Sequence, residues 1–247
     1  QSEIGKQKLL RNGFMGGFAV VLLFAGVFLT QRNRIKKEKK RSDELLLNIL
    51  PEETAEELKA TGTAKAKSFD SVTVLFTDFK NFTQASKKLT PEELVKEINH
   101  CYSEFDKIVT RYNIEKIKTI GDAYMLVGGL PTPREDHAEA VANMALDMFE
   151  AIKDLNHQRH ENIKIRVGIH TGPVVAGVIG KNKFNYDLWG DAVNVASRME
   201  SHGKPGFIQI SEATYDRIKD KFILEQRGPI EVKGKGKMVT YWLLGRK

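Results

Sequence analysis

The stretch IEKIKTIGDAYMLVGG, residues 114–129, reads as two short β-strands about a tight turn at Gly121 and Asp122. Glycine there supplies the positive φ that such a hairpin needs. On its N-terminal side, Thr90, Pro91, Glu92 and Glu93 carry the signature of a helix start, and the helix is expected to run to about Tyr112. Before it, SVTVLF (71–76) is a β-branched and aromatic strand. On the C-terminal side, residues 134–157 read as a helix and KIRVGIHTG (164–172) as a strand. The order β, α, β, β, α, β predicts an α+β fold, a ferredoxin-like sandwich. A helix over about 192–201 and short strands near 207–210, 222–231 and 238–244 are expected to add a small C-terminal subdomain. Gly172, Gly177 and Gly180 are expected to frame a turn between apolar strands, through close packing and positive φ.

With 247 residues, 41% of them hydrophobic and 29% charged, the chain suits one sizeable domain with an appendage. That composition excludes collagenous, disulfide-stapled and wholly disordered classes. Cys101 is the sole cysteine, so no internal bridge forms and nothing calls for an oxidising compartment. The formal charge of +7 would suit a nucleic-acid binder if it were spread over the fold. Instead residues 1–47 hold ten Lys and Arg against four Asp and Glu, which leaves the remainder nearly neutral. Nucleic acid is therefore not an expected partner.

The basic segment contains NGFMGGFAVVLLFAGVFLT, residues 12–30, uncharged and mostly apolar. At about 1.5 Å per residue, a helix of this length covers roughly 30 Å, one hydrocarbon thickness. A signal peptide is the competing reading, because Lys6, Lys8 and Arg11 precede the run. No small-residue cleavage pattern follows, whereas Arg32, Arg34, Lys36, Lys37, Lys39, Lys40 and Arg41 do. A transmembrane helix lying in membrane lipid fits better, and the basic residues beyond it place the C-terminal part in the cytosol. The expectation is a single-pass protein of the cell inner membrane, with residues 1–11 an extracytoplasmic stub. Gln1 opens the chain directly ahead of the span, so a sensor region upstream is expected. Residues 31–50 read as a helix continuing out of the membrane, with Leu45, Leu46 and Ile49 in a short apolar stripe. Pro51 interrupts it, and PEETAEELKATG (51–62) reads as a second helix. This elbow suits either a passive linker or a dimerising transmitter.

Asp78 closes the strand SVTVLFTD, and Asp122 occupies the hairpin turn. Aspartates at strand ends serve as turn formers, and a pair on neighbouring strands can equally hold Mg²⁺ or Mn²⁺. Asn194 and Arg198, four apart on a helix, share one face, either solvated or functional. Lys233 lies in VKGKGK, either a flexible loop or a phosphate contact. His137 and His170 lack metal-ligand spacing and read as structural.

FTDFKNFT (76–83), KIKTIGDAYM (116–125), RVGIHTGPVVAGVIG (166–180) and YDLWGDAVNVASRME (186–200) occur in this order. Together they resemble the class III nucleotidyl cyclases, over residues 65–247. LLLNILPEETAEEL (45–58) is similar to the transducing element that precedes such domains, which favours the transmitter reading for residues 31–64. The resemblance implies attack of a ribose 3′-oxygen on the α-phosphorus of a nucleoside triphosphate, with release of pyrophosphate. It implies Asp78 and Asp122, with the carbonyl of Phe79, as ligands of two divalent metal ions, Mg²⁺ or Mn²⁺. Asn194 and Arg198 are the implied catalytic pair, orienting the ribose and stabilising the pentavalent phosphate; Lys233 is the implied phosphate contact. Lys118 and Asp187 stand at the implied base-reading positions in the form adenylate cyclases carry, whereas guanylate cyclases have Glu and usually Cys there. ATP is thus the implied substrate, bound at sites shared across a homodimer. A guanylate cyclase, or a catalytically silent nucleotide-binding or dimerisation module, is the alternative. Asn182 stands where many relatives have Arg, with Lys183 beside it as a substitute charge.

Overall fold

The computed structural model describes residues 2–80, 90–159, 163–180 and 183–247. The chain forms two compact units, residues 1–59 and 60–247. In the first, α1 (Ser2–Leu47) runs unbroken through the uncharged stretch and the basic residues after it. Among the described residues it is the one helix long and apolar enough to cross a membrane. Phe14, Leu23, Phe24 and Phe28 are exposed along it. Behind Pro51, α2 (Glu52–Thr61) begins with Glu52 and Glu53 in its first turn, where the helix dipole favours acids.

The second unit opens with β1 (Lys67–Lys80), α3 (Pro91–Tyr112), β2 (Glu115–Ile120), β3 (Ala123–Gly128), α4 (His137–Arg159) and β4 (Lys164–Ile179). Their strand order, β2-β3-β1-β4, is the ferredoxin-like order, antiparallel throughout. Then come β5 (Asn185–Trp189), α5 (Asp191–Ser201), β6 (Ile208–Ser211), α6 (Glu212–Ile218), β7 (Phe222–Val232) and β8 (Gly236–Arg246). β6, β8 and β7 continue the sheet beyond β4, while β5 folds back on the outer half of β4. β4 and β6 are parallel, so the chain between them needs a crossover, and α5 lies within it.

Local chemistry fixes the ends of the elements that carry the site. At the start of α3, Glu93 N donates to Thr90 Oγ1 at 3.2 Å while Thr90 N donates to the Glu93 carboxylate at 2.8 Å. This reciprocal cap satisfies two donors that the first turn leaves over. Between β2 and β3, Gly121 takes φ +64° and closes the hairpin expected there.

Alternation along the central strands separates two faces. Ile165, Val167 and Ile169 of β4, with Leu75 and Phe79 of β1, enter the core formed with α3 and α4, where Phe105, Met144 and Met148 are fully buried. The residues between them, Asp78 on β1 and Arg166 and Gly168 on β4, belong to the opposite face. The expected turn at Gly172 and Gly177 is absent, because β4 passes through both and ends at Ile179. Of the three glycines, Gly180 alone has a positive φ, +99°. Gly172 and Gly177 serve close packing: a Cβ there would lie 3.1 Å from Ala192 Cβ and 3.2 Å from Ala66 Cβ respectively.

A chain of hydroxyls and imidazoles threads the interior. Ser71 Oγ meets His137 Nε2 at 3.3 Å, and Thr73 Oγ1 meets His137 Nδ1 at 2.8 Å and Thr171 Oγ1 at 2.8 Å. Thr171 continues to Thr214 at 3.1 Å, Thr214 to Ser211 at 3.4 Å, and Ser211 to His170 Nδ1 at 2.7 Å. Both imidazoles are thus spent on structure. Burial above all pushes their pKa values down from 6.5 to about 4. Between those values the unfolded chain binds protons that the folded chain refuses, so stability falls as pH drops from about 6.5 towards about 4. The slope approaches roughly 1.4 kcal/mol per pH unit for each histidine. Urea unfolding between pH 7 and 5 should show this decline, and His170→Gln should remove about half of the histidine-dependent slope.

Candidate active site

The β1 ladder puts Asp78 opposite Ala123 on one side and Arg166 on the other. Asp122 immediately precedes Ala123 in the hairpin turn, so the two aspartates stand side by side at one sheet edge. Burial raises the Asp78 pKa, the Asp122 charge adds to that rise, and the Arg166 guanidinium opposes it. Arg166 Nη2 donates to Asp78 Oδ2 at 2.9 Å. Phe79 turns its ring into the core, stacked on Phe105 with centroids 6.2 Å apart, so only its main chain belongs to this edge. From α3, Tyr102 is 9% exposed, and among the described residues its hydroxyl has no hydrogen-bond partner. Burial, then the charges of Asp122 and Asp78, push its phenol pKa up.

Hard, adjacent carboxylate oxygens whose mutual repulsion a cation would relieve fit Mg²⁺ or Mn²⁺. Such ions take one or two protein carboxylates and complete their shell with water and phosphate oxygens. Among the described residues no group of three or more His, Cys, Asp or Glu side chains could hold a metal ion by itself.

A second grouping joins β2 to β5. Lys118 Nζ donates to Asp187 Oδ2, and Asp187 Oδ1 accepts from Leu188 N at 2.9 Å. The ladder between β2 and β3 shifts register between Lys116 and Lys118, a bulge that re-aims the lysine side chain. Asp187 is held opposite Gly177 of β4.

The third grouping lies on α5. Asn194 and Arg198 are exposed on one face, while Ala192, Val195, Ala196 and Met199 are buried. Val195 and Met199 pack with Val232 at the start of the β7–β8 turn. Lys233 is exposed on that turn, and Lys235 Nζ lies 2.8 Å from Asp191 Oδ2 at the first residue of α5. Lys183 is exposed, and Asn182 lies outside the described residues, as do residues 81–83 of the first motif. The structure thus brings Asp78 to Asp122, Lys118 to Asp187, and Asn194 to Arg198. Between the first grouping and α5, Arg166 is the link, lying 2.9 Å from Asp78 Oδ2 and 2.7 Å from Glu200 Oε1.

Three features of the site went unread in the sequence: Arg166, Glu200 and Tyr102. A lone charge between Ile165 and Val167 on an apolar strand was the available signal for Arg166.

The model of the adenylate and guanylate cyclase catalytic domain matches residues 64–245. The chain belongs to the class III nucleotidyl cyclases. It is 48% identical over 214 residues to an adenylate cyclase of Mycobacterium tuberculosis, covering 86% of this chain and 48% of that protein. It is 45% identical over 214 residues to the receptor-type guanylate cyclase gcy-28 of Caenorhabditis elegans, covering 85% of this chain and 17% of that one. The chain therefore spans less than half the length of these curated relatives. The guanylate cyclase domain of RhGC from Catenaria anguillulae, solved with GTP, superposes with a TM-score of 0.71 at 46% identity, covering 73% of this chain and all of that one.

Within this cyclase domain, one contact sets the position of α5. A Cβ built on Gly168 would lie 1.9 Å from Glu200 N and 2.4 Å from Met199 C, so the helix main chain rests directly on β4. Gly168→Ala should force the two apart, lowering stability by about 1–3 kcal/mol and depressing turnover, because Asn194 and Arg198 move with the helix. Urea denaturation alongside an activity assay checks both effects.

Proposed function

We propose that this chain is a membrane-anchored adenylate cyclase that converts ATP to 3′,5′-cyclic AMP and pyrophosphate, working as a homodimer. The observation that carries the base assignment is the Lys118–Asp187 pair. Adenine offers an acceptor at ring N1 and a donor at its 6-amino group, which an ammonium and a carboxylate answer in turn. Guanine presents the reverse at these atoms, N1–H against the lysine and a 6-oxo group against the aspartate. A site built for one pattern leaves buried groups unpaired with the other. Relatives of comparable similarity include enzymes named for each nucleotide, so the support for this reading comes from the pair and not from overall likeness.

The residues divide the chemistry among them. Asn194 orients the ribose so that its 3′-oxygen lies in line with the α-phosphorus. The planar fork of Arg198 receives the charge that gathers on the phosphate oxygens as that bond forms and the bond to pyrophosphate breaks. Lys233 meets the β and γ phosphates as a point charge. Asp78 and Asp122, with the carbonyl of Phe79, would hold two divalent ions, whose chemistry is to lower the pKa of the attacking hydroxyl and neutralise the triphosphate.

Homodimerisation is the reading that membership of the cyclases supports, since this chain carries both the aspartates and the base-reading and α5 residues on a single catalytic domain. A twofold axis presents each protomer's aspartates to its partner's base-reading pair and α5 face, completing two equivalent sites. Residues 12–30 of α1 anchor the chain in the membrane with residues 65–247 in the cytosol. Residues 31–64 form the juxtamembrane helix and transducer, which passes a signal from the membrane to the catalytic domain.

Two experiments test this. Lys118→Glu with Asp187→Cys should reduce cyclic AMP formation at least tenfold and raise the ratio of GTP to ATP use. An undiminished ATP rate would remove these residues from base recognition, and a parental enzyme that prefers GTP would establish a guanylate cyclase instead. Separately, Asp78→Asn and Asn194→Ala should each be nearly inactive. Mixed before assembly, they should recover about a quarter of parental activity, since half the dimers are mixed and half their sites are intact. No recovery despite demonstrated subunit exchange would show that the sites are not shared.

A further inference from the structure

The guanidinium beside the metal-site aspartates is incompletely satisfied. Arg166 Nη2 donates to Asp78 Oδ2 at 2.9 Å and also lies 2.7 Å from Glu200 Oε1. The side chains of Arg166, Asp78 and Glu200 are 13%, 19% and 12% exposed, so water screens these charges little. Arg166 Nη1 reaches the Ser201 carbonyl at 3.3 Å. Among the described residues Arg166 Nε is buried without a hydrogen-bond partner, and Glu200 Oε1 meets the guanidinium through Nη2 as an ion pair. A guanidinium pairs best with a carboxylate through two parallel bonds. Here one nitrogen is divided between two acids, while among the described residues a second donor on the arginine, Nε, is left over.

We propose that Arg166 is a two-position counter-ion, which holds Asp78 while no cation is bound and turns its fork onto Glu200 when a divalent cation takes Asp78. The inference rests on the reading of Asp78 as a metal ligand. In the first position the guanidinium relieves the repulsion between Asp78 and Asp122. In the second, Nε and Glu200 Oε1 satisfy one another, and the positive charge is balanced away from the entering cation. The receiving carboxylate is fixed, because the Gly168 contact pins the last turn of α5 against β4 at Glu200 itself. Arg166 and Glu200 act through Asp78 and are positioning residues.

The test is Mn²⁺ binding to the full chain in detergent micelles without nucleotide, read from the electron paramagnetic resonance signal of free Mn²⁺. Glu200→Gln keeps the side-chain shape and removes the receiving charge, so Arg166 stays on Asp78 and the Kd for Mn²⁺ should rise about tenfold. Arg166→Met combined with Glu200→Gln removes the competing cation and its counter-charge together, and should return the Kd to the parental value or below. Asp78→Asn removes the ligand and should weaken binding independently of the arginine. Parental affinity in Glu200→Gln, with weak binding in Asp78→Asn, overturns the counter-ion and leaves the metal site standing. Parental affinity in Asp78→Asn overturns the metal reading itself. Weak binding in both Glu200→Gln and the double variant, with melting temperatures near parental, marks a merely structural triad and rejects the proposal. If Glu200→Gln does not fold, the charge-balanced double variant decides, since the handover requires its affinity to match or exceed the parental one.

Discussion

The cyclase domain is organised around a place where no side chain fits. At Gly168 the main chain of α5 touches β4, and the helix can lie nowhere else without lifting off the sheet. Interiors are packed densely enough that a contact of this kind fixes position to within fractions of an ångström. From it follow the burial of Val195 and Met199 against Val232, the outward aspect of Asn194 and Arg198, and the seat of Glu200 beside Arg166. The exposed face of Asn194 and Arg198 is thereby carried on a helix whose opposite side is held by backbone contact, which tolerates less drift than an interface of flexible side chains.

Electrostatics at the sheet edge has the same economy. Asp78 and Asp122 are brought together by a hairpin, a local structure that needs only Gly121 in a positive-φ conformation. Their repulsion is opposed by one guanidinium that comes from the neighbouring strand by register alone, since Asp78 and Arg166 are cross-strand partners. Charge, strand pairing and the core beneath Phe79 are therefore settled by the same alternation, and slipping β1 by one residue would exchange Asp78 for a neighbour with the opposite facing.

Features that depend on near neighbours were legible in the sequence. The β2–β3 hairpin is written in Gly121 and Asp122, and the start of α3 in Thr90 and Glu93, whose capping bonds form as their spacing implies. The βαββαβ order emerged from periodicity, and the cyclase motifs marked Asp78, Asp122, Lys118, Asp187, Asn194 and Arg198. What escaped was non-local. Gly172 and Gly177 looked like turn residues because glycine is ambiguous: the same missing Cβ that permits a turn also admits Ala192 and Ala66 against an extended strand. α6 is only seven residues long, too short for a helical period to stand out beside the strands around it. Glu200 reads as one more polar residue at a helix end. Its partnership with Arg166 spans 34 positions of sequence and exists only once α5 is laid on β4.

The Lys118–Asp187 ion pair also constrains how this chain can change over generations. The two side chains are 30% and 15% exposed and satisfy each other directly. Replacing Lys118 alone leaves Asp187 with the Leu188 N–H as its remaining partner, and replacing Asp187 alone leaves the lysine to the water that reaches it, so either single change costs more than a matched exchange of both. Two codons 69 positions apart are therefore bound into one heritable unit. A change at both positions together is thereby easier than a change at one.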